Sequence, residues 1–82
     1  MKIGVIGIII EKDRSIAEKV NKLLSEYGDM ICGRMGVPDN ERGVFVISVI
    51  VKSTNEKISA LTGKLGRLNN VKVKSAVTDC EL

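Results

Sequence analysis

Ile3-Gly4-Val5-Ile6-Gly7-Ile8-Ile9-Ile10 has no polar side chain at any of eight consecutive positions, and at an offset of 41 Val44-Phe45-Val46-Ile47-Ser48-Val49-Ile50-Val51 repeats the pattern with one serine. Successive strand residues point to opposite faces, so a run apolar throughout suits a central strand with something covering each side of its sheet. Each run leads through polar residues into Ser-x-x-Glu, first at Ser15-Ile16-Ala17-Glu18 and again at Ser53-Thr54-Asn55-Glu56. Such a box predicts a helix start, because the serine hydroxyl and the glutamate satisfy backbone N–H groups that lack partners there.

The chain between and beyond these runs fills in the rest. Ile16, Val20, Leu23, Leu24 and Tyr27 form one stripe of an amphipathic helix closed by Gly28. Asp29 to Gly36 reads as a shorter strand, and Val37-Pro38-Asp39-Asn40-Glu41-Arg42-Gly43 as a hairpin connection rich in turn residues. Ile58, Leu61, Leu65 and Leu68 stripe a second helix ended by Asn69-Asn70. Val71, Val73, Ser75 and Val77 then alternate with Lys72, Lys74, Ala76 and Thr78, as an edge strand with one buried face would. Two βαβ units in tandem with right-handed crossovers give an α+β, ferredoxin-like βαββαβ sandwich. Its antiparallel sheet has the order 4-1-3-2, both helices lie on one face, and residues 1–82 make a single domain.

Composition bounds what such a domain does. Hydrophobic residues are 44% of the 82 but aromatics only 2%, so Ile, Val and Leu must build the core. The net charge of +3, from 13 basic and 10 acidic residues spread along the chain, describes a solvated surface better than a nucleic-acid footprint. No stretch approaches the ~18–20 apolar residues of a membrane span, and Met1 to Ile10 lacks a signal-peptide cleavage site. A soluble, cytoplasmic protein is expected. Cys32 and Cys80 lie 48 residues apart in a chain without histidine, which excludes the usual zinc spacings. They fall on opposite sheet edges in this topology, so free, buried or half-buried thiols are expected, and no metal or cofactor.

Two helices cover only one face of the sheet. On the other, the second apolar run presents either Val44/Val46/Ile50 or Phe45/Ile47/Val49/Val51, each side chain worth about 1.5–3 kcal/mol if buried. With the first run's outer positions added, the open face forfeits on the order of 10 kcal/mol, comparable with a domain's whole net stability. A homo-oligomer, dimer or tetramer, is therefore expected, through sheet-on-sheet packing or edge-to-edge extension.

Candidate site residues are sparse. Gly33-Arg34-Met35-Gly36 sets a charge between glycines, either for close approach of a ligand or as a bulged edge strand. Arg34 and Arg42 are placed to form a basic pocket for a carboxylate or phosphate. Gly63-Lys64-Leu65-Gly66 puts two glycines in a helix at about 1 kcal/mol each, which suggests close packing there or, failing that, a ligand. Thr62-Gly63-Lys64 lacks the upstream glycine of a phosphate loop and lies inside a helix. With no histidine and no cysteine beside a base, no catalytic residue can be nominated and an enzyme is not expected.

Gly4-Val5-Ile6-Gly7-Ile8-Ile9, Glu26-Tyr27-Gly28-Asp29, Gly33-Arg34-Met35-Gly36 and Ala60-Leu61-Thr62-Gly63-Lys64-Leu65-Gly66 together resemble the iron-only hydrogenase system regulator family over nearly the whole chain. The resemblance implies a stand-alone ACT-like domain that forms homo-oligomers, similar in fold to the ligand-sensing half of the nickel-responsive repressor. Nickel sensing does not carry over, since its site needs histidine. The glycine-bearing turn that ACT domains carry after the first strand is replaced by Glu11-Lys12-Asp13-Arg14. The expected function is a non-enzymatic regulatory or small-effector-sensing module, with Arg34, Gly36, Arg42, Gly63, Lys64 and Gly66 at an effector site or interface. A protein–protein interaction or maturation accessory is the alternative. Direct DNA binding ranks third, for want of a helix-turn-helix or a dense basic helix.

Overall fold

The computed structural model describes residues 1–80. Strand β1 (Lys2–Glu11) is followed by helix α1 (Arg14–Glu26), a 3-10 turn at Gly28–Met30, strands β2 (Ile31–Asp39) and β3 (Val44–Ser53), helix α2 (Asn55–Gly66) and strand β4 (Val71–Asp79). All sheet neighbours are antiparallel in the order β2-β3-β1-β4, the expected order read from its other edge. Ile6, Ile8 and Ile10 of β1 and Ile47, Val49 and Val51 of β3 are buried with Val20 and Leu24 of α1 and Ile58, Leu61 and Leu65 of α2. The two-layer core is thus built from one parity of each central strand and one stripe of each helix, without a fully buried aromatic. Among the described residues no helix is long and apolar enough to cross a membrane.

The ends of the elements depart from the expected ones for local reasons. Asp13, not Ser15, caps α1. Its extended backbone lets one carboxylate oxygen accept from the Ser15 N–H at 2.8 Å, the Ser15 hydroxyl at 2.7 Å and the Ile16 N–H at 3.4 Å. A carboxylate at a helix start is also favoured by the backbone dipoles, an advantage the serine lacks. These hydrogen bonds, the Ser15 hydroxyl's first among them, hold the Asp13 carboxyl below its ordinary pKa. At α2 the cap is Thr54, whose hydroxyl accepts from the Lys57 N–H at 3.3 Å, while Ser53 is the buried last residue of β3.

Helix α2 stops at Gly66, short of Asn69-Asn70. The N–H of Arg67 turns back to the Gly63 carbonyl and that of Leu68 to Leu65, and Asn70, at φ 63°, swings the chain into β4. Strand β2 starts two residues later than expected, because Asp29 and Met30 belong to the 3-10 turn, and runs three residues further, to Asp39. Val37, Pro38 and Asp39 pair with Val46, Phe45 and Val44, which is possible because proline's missing N–H sits on an edge strand. That leaves a short hairpin in which Gly43 adopts φ 66° and Asp39 accepts the Arg42 N–H at 3.2 Å. A bulge interrupts β2 between Ile31 and Gly33. Cys32 and Cys80 do lie on opposite sides of the sheet but are free and exposed, not buried: Cys32 sits in the bulge of edge strand β2 and Cys80 follows the last residue of edge strand β4.

The face away from the helices carries Val44, Val46 and Ile50 from β3, the first of the two expected sets. Ile3, Val5, Ile9, Met35, Val37, Val46 and Ile50 are all large, apolar and between 37% and 65% exposed.

Candidate functional site

The six expected site residues do not converge. Arg34 lies opposite Val49, on the helix side of β2, and its guanidinium donates to Asn21 of α1. Arg42 sits in the hairpin with its guanidinium 2.7 Å from Asp39, whose carboxyl that contact holds below the usual range. The expected Arg34–Arg42 pocket does not form. Asp39 lies five positions along the strand from Arg34, roughly 17 Å of extended chain, and each arginine is engaged by its own neighbour. At Gly36, a Cβ would come within 2.8 Å of the Phe45 ring, so the space that a missing side chain leaves is filled from within.

The helix glycines are a second correction. A Cβ added at Gly63 or Gly66 would meet nothing within 4 Å, so no close packing within the chain offsets their helix penalty. Gly63→Ala is accordingly expected to stabilise the fold by about 0.5–1 kcal/mol in urea denaturation. A destabilised variant would show that another molecule covers this side of α2.

Lys64 belongs to a cluster that only the packed helices reveal. Between α1 and α2 runs an open groove of about 330 Å³ lined by Lys19, Lys22, Leu23, Glu26, Lys64, Arg67 and Leu68. The Lys64 ammonium lies 5.1 Å from the centre of the Tyr27 ring, within cation–π range. The neighbouring Tyr27 is the chief influence holding Lys64 above the ordinary lysine pKa. Four cations thus face one carboxylate around an apolar floor of Leu23 and Leu68. Lys19, Lys22 and Arg67 were missed in the sequence, where the usable signal was a basic residue recurring every third position on each helix. Among the described residues, no group of three or more carboxylates or thiols is arranged to hold a metal ion.

The family model described as "TM1266-like: Iron-only hydrogenase system regulator, putative" matches residues 2–75. Among solved structures, the uncharacterized protein TM1266 from Thermotoga maritima is 31% identical over 96% of this chain and 100% of that one, with a TM-score of 0.92. The ACT domain from GTP pyrophosphokinase of Chlorobium tepidum is 19% identical, covering 90% of this chain and 96% of its own, with a TM-score of 0.75. An ACT domain protein from Streptococcus pneumoniae is 17% identical over 93% of this chain and 89% of that one, at a TM-score of 0.65. At those two identities the likeness concerns the fold. No functionally curated protein matches the chain. The ferredoxin-like, ACT-type fold and the match along nearly the whole chain lead to one assignment: the protein belongs to the TM1266-like family of iron-only hydrogenase system regulators.

Proposed function

We propose that the chain is a non-enzymatic regulatory module of an iron-only hydrogenase system, working in the cytoplasm by binding a small anionic effector. The observation that carries the effector is the groove between the helices, where Lys19, Lys22, Lys64 and Arg67 oppose a single carboxylate, Glu26. Like charges gathered around an apolar floor repel one another until an anion neutralises them, and an organic anion would place its body on Leu23 and Leu68. Of the expected site residues, Lys64 is the one that lines this groove. The family description and the ACT-type fold support the regulatory part of the reading.

Thermal-shift screening and isothermal titration with nucleotides, organic phosphates and dicarboxylates test it. At least one such anion should raise the melting temperature, and Lys64→Met should weaken its binding about tenfold or more, the ~1.5–3 kcal/mol of a hydrogen bond to a charged group. If no anion stabilises the protein, the sensor reading fails. The apolar outer face of the sheet favours the accessory-module reading instead, for which a stoichiometric hydrogenase-system partner captured from cells would be the evidence.

A further inference from the structure

The cations of the groove between the helices come in two pairs. Lys19 and Lys22 stand three residues apart on α1, and Lys64 and Arg67 three apart at the end of α2. Helix neighbours at that spacing have Cβ atoms about 5–6 Å apart, wider than the two oxygens of one carboxylate. Four cations less Glu26 leave the lining with three net positive charges. Where helix ends reach the groove they are C-terminal: Glu26 is the last residue of α1, and Arg67 caps α2. Such ends offer carbonyls and no free N–H groups, so side chains alone must hold an anion here. Each exposed ammonium or guanidinium gains little from a single charge, because water and salt screen it. Affinity has to accumulate over several contacts made by one ligand.

We infer that the groove takes an organic polyphosphate, of the nucleoside di- or triphosphate class, whose phosphates bridge the two cation pairs and whose body lies on Leu23 and Leu68. The inference rests on the anion-binding reading above and narrows it. Charge makes the selection. A terminal phosphate carries about 1.5–2 negative charges near neutral pH, and each inner phosphate adds one more. A diphosphate therefore matches the three net charges of the lining, whereas a dicarboxylate leaves one unmet. Geometry agrees, since a chain of phosphates spans a pair of cations that a single carboxylate does not. The planar fork of Arg67 can grip two oxygens of one phosphate, while the lysines act as point charges that follow the bends of the chain. The groove's volume of about 330 Å³ falls at the small end of the ~300–1,000 Å³ usual for small-molecule sites.

Isothermal titration of the full chain with AMP, ADP, ATP, inorganic tripolyphosphate and succinate, without divalent metal and at low and high salt, tests the class. ADP and ATP should bind at least ~10-fold more tightly than AMP or succinate, with the advantage shrinking as salt rises. Tripolyphosphate, which has no organic body to lay on the leucines, should bind more weakly than ATP. Glu26→Gln, which removes the one carboxylate of the lining, should tighten ADP about threefold or more. Lys22→Met combined with Arg67→Met should weaken it at least ~10-fold while the circular dichroism of the fold persists. If AMP, ADP and ATP bind alike, or succinate binds best and Lys64→Met weakens it, the polyphosphate class is wrong while the anion-binding groove stands. Tripolyphosphate binding as well as ATP would overturn the organic part of the inference. Nucleotides that bind these variants and the unaltered chain equally would place the site elsewhere and overturn it outright. If no anion binds at all, the anion-binding reading falls and this one with it.

Discussion

Leu61→Ala is expected to lower the unfolding free energy by about 2–5 kcal/mol, the range for a large aliphatic side chain removed from a packed core. Leu61 is 0% exposed, on the stripe of α2 that faces the sheet. The upper half of the range applies if its neighbours cannot close the cavity. The core Leu61 belongs to is mostly β-branched isoleucine and valine, side chains held to few rotamers and slow to fill a gap. The effect is large because the whole is small: at about 0.05–0.15 kcal/mol per residue, an 82-residue chain holds only some 4–12 kcal/mol. Urea denaturation followed by circular dichroism measures it, at one fixed protein concentration because self-association would add its own stabilisation. A loss below about 1 kcal/mol would mean that α2 does not seat Leu61 against the sheet.

That Leu61 could be named from sequence shows which part of the fold is legible and why. Periodicity is a property of side-chain direction, so runs that are apolar at every position, or every third and fourth, point to the buried set whatever the exact boundaries. Ile58, Leu61, Leu65, Val20 and Leu24 all emerge buried. Boundaries were less legible because they depend on competition among neighbours. Ser15 and Asp13 are both good caps, and the carboxylate two residues earlier wins by holding three donors at once. The extension of β2 through Pro38 was hidden because proline signals a turn, unless the strand lies at an edge, a fact of topology and not of local sequence.

The candidate site was less legible than the fold. Arg34 and Arg42 were paired on nearness along a hairpin, but strand direction decides reach, and β2 carries Arg34 toward α1 while Arg42 stays with Asp39. The basic groove needs two helices side by side, and its lysines, interleaved with Glu18 and Glu26, look like any solvated helix face until α2 brings Lys64 and Arg67 beside them. Glycine was the most ambiguous letter. Gly36 and Gly63 were both singled out as places where something approaches closely, and the structure separates them: one is filled by a ring, the other faces open space.

That separation makes Gly36→Ala the sharper test of the sheet. On an exposed edge strand, alanine for glycine ordinarily stabilises, because it narrows the unfolded ensemble without strain. Here the new methyl would lie 2.8 Å from Cε1 and 3.1 Å from Cζ of Phe45, inside van der Waals contact. Phe45 is half-buried and packs against the core, and it lines a small hollow with Ile10 and Ala17, so turning its ring away uncovers apolar surface at the end of β1. The balance is an expected loss of about 1–3 kcal/mol, as for overpacking elsewhere. Gly33, on the same strand but the other face, supplies the control: its Cβ would meet only the Ile50 Cδ1, at an ordinary 3.7 Å, so Gly33→Ala should be neutral or slightly stabilising. A double-mutant cycle isolates the cause. In a Phe45→Ala background the methyl at position 36 has room, and its cost should disappear, giving a coupling energy of at least about 1 kcal/mol. If Gly36→Ala is instead harmless with Phe45 present, the ring does not rest on the glycine, and the notch at Gly36 becomes available to the backbone or ligand that the glycine spacing first suggested.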